Sequence, residues 1–133
     1  MYNNSDKRLL RTFLIIGAIQ AGFFGVILLF REFYYQWDWI NLEIPSPPLY
    51  ANVSATFLIV MSFWTFYIAK NMYSELWIII AGSSIGRIVY FSIALIGFLT
   101  NSNEFMYVLI GVSDLLIGIS FIYVAYRLRK SVQ

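Results

Sequence analysis

Four long apolar runs, separated by polar or proline-containing stretches, set the pattern of this chain. They extend over about residues 9–30, 50–69, 76–100 and 106–126. Each is close to the ~20 residues that a helix needs to cross the hydrocarbon core of a bilayer. With no water there to satisfy backbone polar groups, a helix closes every hydrogen bond within its own segment. Only "KNMYSE" separates the second run from the third, and only "NSNEF" separates the third from the fourth. Connections this short are expected to make consecutive helices antiparallel neighbours. The pattern predicts an all-α polytopic membrane protein, an antiparallel up-and-down bundle of four transmembrane helices forming one domain over residues 1–133.

The one long connection, residues 31–49, reads as an interfacial aromatic loop. Phe33, Tyr34, Tyr35, Trp37 and Trp39 are the residues that settle at headgroup level, and Pro45, Pro47 and Pro48 oppose a continuous helix. The first run continues directly into "REFYYQWDW" with no small-residue cleavage signature, so it is expected to stay as a span rather than be removed as a signal peptide.

Composition agrees with the pattern: 60% of residues are hydrophobic and 12% charged, against roughly a quarter charged in soluble domains. The placement of the charges gives an orientation. Lys7, Arg8, Arg11, Lys70, Arg127, Arg129 and Lys130 fall on one side of the spans and Arg31 on the other. The positive-inside rule then makes both termini cytoplasmic, most simply in the cell membrane. Basic residues flank the spans instead of forming a patch, so the expected partners are the lipid bilayer and a larger membrane complex or a second copy of the chain, with no nucleic acid. The sequons at Asn3 and Asn52 fall on the cytoplasmic side and at the membrane edge, and neither reads as a glycosylation site.

The chain has no cysteine and no histidine. This removes disulfides, thiolate and imidazole metal sites, bis-histidine haem and any general base that titrates near neutrality. No nucleophile–base pair, phosphate-cradling glycine loop or HExxH-type motif is present. No cofactor is expected to be held by the chain's own ligands, which leaves a quinone or a lipid as the small molecule to consider.

Candidate chemistry therefore concentrates on the polar residues inside spans. Arg87 lies near the middle of the third span, where an arginine costs at least ~2.5 kcal/mol and faces the protein interior. Asp114 is the one acid well inside a span. With the turn between spans three and four centred near residue 102, the two lie within a helical turn of the same depth, and an intramembrane ion pair between them is predicted. Gly82 and Gly86, spaced as a small-xxx-small pair, and Gly111 and Gly118 are expected to let the two helices approach closely. At helical spacing, Ser83, Ser84 and Tyr90 share Arg87's half of its helix, and Tyr107 shares Asp114's face. Gln20 is mid-membrane in the first span and is expected to turn to the same interior. These seven residues form the candidate ligand-binding set. The competing expectation is that the pair pins the register of two helices and the serines bond to carbonyls of their own helix.

The outer segment ending "EIPSPPLY", the "GRIVYF" of the third span and the "GVSDLLIGISFIY" of the fourth resemble the DoxX-like group of small four-helix membrane proteins. The resemblance implies an up-and-down four-helix bundle in the cytoplasmic membrane and a link, through the group's name, to a subunit of a thiosulfate:quinone oxidoreductase. The chain differs from the small multidrug exporters, whose first span carries a carboxylate where this one has Gln20. The function expected is a non-catalytic membrane subunit or accessory protein that binds a lipid-like or quinone-like ligand at the polar site. The alternatives are a small transporter or channel gated by the Arg87–Asp114 pair, and a subunit of a quinone-linked oxidoreductase.

Overall fold

The computed structural model describes residues 4–35, 48–72, 74–100 and 105–130. Five helices are present there: α1 (Asn4–Leu29), α2 (Arg31–Tyr34), α3 (Pro48–Asn71), α4 (Trp77–Leu99) and α5 (Phe105–Lys130), with a 3-10 turn at Ser74–Leu76 before α4. No strand occurs among the described residues. α1, α3, α4 and α5 are long and apolar enough to cross a membrane. Their outward faces carry large apolar side chains such as Ile19, Phe63, Ile93 and Leu116. The chain is an integral membrane protein built as a four-helix bundle.

At the charged ends the helices overrun the apolar runs. Hydropathy marks the part of a helix that sits in hydrocarbon, whereas backbone hydrogen bonding carries α1 back through Arg8, Lys7 and Asp6 and carries α5 on through Arg127 and Lys130. The ion pair between Asp6 and Arg127 joins those two ends. α3 stops because Met72 takes a left-handed backbone, φ 53°, and its amide closes the last turn on the Ile68 carbonyl at 2.6 Å. Arg11 caps the orphan carbonyls of that end, its Nε donating to Ala69 O at 3.0 Å and an Nη to Lys70 O at 3.2 Å. Of the aromatic loop, residues 31–35 form α2 and the residue after it; Trp37, Trp39, Pro45 and Pro47 lie outside the described residues. So do Asn3 and residues 101–104. Pro48 opens α3, at the helical position where a missing N–H costs nothing.

α1 packs along α3, α4 packs along α5, and the two pairs meet through α1 and α5. Neighbours in each seam run antiparallel, since Gly25 on α1 faces Ala55 and Ile59 on α3 while Ala18 faces Ser62. Backbone approach is close where glycine allows it. A Cβ at Gly25 would sit 3.1 Å from Ala55 O, and one at Gly118 would sit 3.3 Å from Ser84 O.

Two expectations about packing are corrected. Gly82 and Gly86 do not mediate the approach of α4 to α5, because a Cβ at either would meet nothing within 4 Å. The α5-facing stripe of α4 is Ile80, Ser84, Arg87 and Ala94, all buried. Gly82 and Gly86 lie on the adjacent stripe, and close contact is seen at the α5 glycines Gly111 and Gly118. In addition, α3 and α4 do not pack along one another despite the short connection between them. They converge only at the end that carries the chain termini. There Leu10, Leu14, Ile68, Ile80, Phe121 and Leu128 belong to one buried cluster. Away from that end the space between them is hollow.

Candidate functional site

The polar centre forms where the packed half of the bundle gives way to the hollow half. Arg87 reaches from α4 across to both α1 and α5. One Nη donates to Asp114 Oδ1 and to Gln20 Oε1. The other donates to the carbonyl of Gly17 at 3.2 Å. The Phe121 ring closes the side toward the packed half, its centroid 5.3 Å from the guanidinium carbon, a distance at which the ring quadrupole attracts a cation. Gly17 is needed for this arrangement: a methyl group there would overlap the Phe121 ring. Gln20 Nε2 donates to Ser113 Oγ at 2.9 Å and to Asp114 Oδ1 at 3.2 Å. The Ser113 hydroxyl in turn donates to the Ile110 carbonyl at 2.7 Å. The result is a three-helix network that holds an ion pair in the membrane interior, where an unpaired charge would be far more costly.

Above this network lies a half-open cavity of about 900 Å³. Its walls are mostly apolar, from Phe24 and Ile27 on α1, Phe57 and Met61 on α3 and Ile110 on α5. Gln20, Arg87 and Asp114 contribute the polar floor, and the glycine stripe of α4, Gly82 and Gly86, forms one side. α3 and α4, which do not pack along one another, supply two of its walls.

Of the seven candidate residues, the structure brings Arg87, Asp114 and Gln20 into direct contact and sets Ser83, Tyr90 and Tyr107 on the cavity wall. Ser84 is placed elsewhere. It is fully buried and donates to the Gly118 carbonyl at 2.7 Å, a bond between α4 and α5 rather than toward a ligand or back into its own helix. Ser84→Ala should therefore lower stability by about 0.6 kcal/mol, the typical worth of such an interhelical bond, and leave ligand binding unchanged. Chemical unfolding in detergent micelles would measure this.

Sequence reasoning did not select Ser113, the Gly17 carbonyl or Tyr35. Ser113 adjoins Asp114 and was detectable only once Gln20 was known to reach it, since no spacing rule relates α1 to α5. Tyr35 lies beyond the spans, buried, and lines the cavity near its far end. Burial pushes its phenol above the ordinary value, Tyr107 adds to this and Arg31 opposes it, so it meets the cavity as a neutral hydroxyl. Arg31 is itself buried; one Nη donates to Asn52 Oδ1 at 2.8 Å and to Leu28 O at 3.3 Å, tying α2 to both α1 and α3.

The fold and the site together define a four-span helical membrane protein with a three-helix ion-pair network under a half-open, mostly apolar cavity. No family model, curated protein or solved structure matches the chain.

Proposed function

We propose that the chain is a non-catalytic membrane subunit or accessory protein whose cavity holds a lipid-like or quinone-like amphiphile, with its polar end at the Arg87–Asp114–Gln20 network. One observation carries this reading: a cavity of about 900 Å³ with apolar walls and a few convergent polar groups, within the size range and chemistry of small-molecule sites. The unclosed seam between α3 and α4 supports this reading, since it would give a lipid tail a path from the bilayer without crossing water. The DoxX-like resemblance belongs to the same proposal, as does a cell-membrane location with both termini cytoplasmic. The orientation rests on the basic residues at the terminal end of the bundle, against which Arg31 stands as a buried, hydrogen-bonded exception.

The test is extraction in a mild detergent followed by native mass spectrometry and identification of whatever small molecule stays bound. One amphiphile per chain is the expected result, with a higher melting temperature than the delipidated protein. A protein that carries none, and whose melting does not respond to added lipid or quinone, would overturn the proposal.

A further inference from the structure

The groups that the network leaves unused are not the donors that an intramembrane arginine suggests. Arg87 is 9% exposed, and its Nη groups are directed to Asp114, Gln20 and Gly17. Its remaining Nε is enclosed and out of a ligand's reach. Asp114 is different. Both of its hydrogen bonds, from Arg87 and from Gln20, arrive at Oδ1. Oδ2 has no partner among the described residues, yet it is not among the enclosed unpartnered atoms, and Asp114 lines the cavity. The atom presented to a ligand is therefore a carboxylate oxygen, which can only accept. Ser83 and Tyr90 line the same cavity, and their hydroxyls bond to nothing else among the described residues. Each of these can donate or accept.

We infer that the amphiphile ends in a hydroxyl group. This rests on the reading that the cavity holds an amphiphile, and it names the chemistry of its polar end. A hydroxyl donates to Asp114 Oδ2 and accepts from Tyr90 or Ser83. A ketone or ether accepts only, and would leave Oδ2 facing an acceptor in a water-poor site, where an unsatisfied polar group is costly. An anion meets the Asp114 carboxylate, and a cation would leave water at full desolvation cost for a carboxylate whose charge Arg87 already neutralises. A neutral donor is free of both penalties. A quinol satisfies the site and the corresponding quinone does not; long-chain alcohols and diacylglycerols share the required group.

The experiment compares matched probes on the full-length, delipidated protein in mild detergent: hexadecanol against hexadecyl methyl ether, and a decyl benzoquinol against its benzoquinone under anaerobic, reducing or oxidising conditions as each requires. Affinity is read by native mass spectrometry and by the shift in melting temperature. The hydroxyl member of each pair should bind at least roughly tenfold tighter, as expected when its partner leaves a buried acceptor unpaired. Which of the two hydroxyl compounds binds tighter distinguishes an aliphatic from a phenolic natural ligand. Asp114→Asn, which puts an amide donor beside the cavity, should erase the discrimination. Equal binding within pairs, or preference for the ether or quinone, would overturn the inference while leaving the cavity reading intact. Failure of all four probes to bind would overturn the cavity reading itself. The discrimination is measured first in the unaltered protein, so the comparison of probes stands even if Asp114→Asn folds poorly.

Discussion

Gly86→Leu should fold, melt no lower than the delipidated parent chain and lose its bound amphiphile. A Cβ at Gly86 meets nothing within 4 Å, so the leucine has no neighbour to displace on entering the helix. Replacing a mid-helix glycine with leucine also removes a propensity penalty of up to ~1 kcal/mol. The added side chain occupies the cavity wall beside Arg87 and Ser83. Adding Gly82→Leu extends the obstruction by one helical turn along the same stripe. The control is Gly25→Leu, whose Cβ would press on Ala55 O at 3.1 Å and Ile59 N at 3.2 Å. Backbone on both sides cannot yield, so that variant should lose the α1–α3 seam. Native mass spectrometry and thermal melting of the three proteins separate the outcomes. Full amphiphile loading in a well-folded Gly82→Leu/Gly86→Leu protein would show that the hollow between α3 and α4 is not where the ligand resides.

The glycines also show where the sequence stops being legible. Four apolar runs, their connections and their antiparallel order follow from hydropathy and loop length alone, because the bilayer leaves a helix few alternatives. The Arg87–Asp114 pair is legible for the same reason: two opposite charges at one depth on adjoining helices have little else to do. A small-xxx-small spacing, in contrast, says that a helix face is narrow and nothing about what lies against it. On α5, Gly111 and Gly118 are filled by Phe91, Ile88 and the α4 backbone. On α4, the small-xxx-small pair Gly82 and Gly86 borders empty space. The difference lies in what each stripe faces: Arg87 is directed to Asp114 on α5 and to Gln20 and Gly17 on α1, while Gly82 and Gly86 line the cavity. No local pattern encodes that arrangement, since it joins residues from three helices. The role of Ser84 was hidden similarly, for only the α4–α5 register decides whether its hydroxyl meets a cavity or the Gly118 carbonyl.

Arg87→Met alone should destabilise the protein by about 3–5 kcal/mol, the cost of stranding one member of a buried ion pair. Asp114 would then lie in the membrane interior with only Gln20 as a donor. The double variant Arg87→Met/Asp114→Leu should recover most of that loss, because replacing both charges with apolar groups of similar volume is often neutral or stabilising. Gln20 keeps its bond to Ser113 in the double variant, and the remaining deficit is its carbonyl and its second amide hydrogen, which lose Arg87 and Asp114 as partners. Unfolding of the two single variants, the double and the parent completes a cycle whose coupling energy reports the pair directly. Ligand retention in the double variant then separates the two roles this pair can have. If the network is the polar end of a binding site, the restored protein is stable and empty, since no acceptor remains where Asp114 Oδ2 stood. A restored protein that still holds its amphiphile at parental affinity would make the pair a fastener between α4, α5 and α1, and would move the site's specificity to Tyr90, Ser83 and the cavity walls.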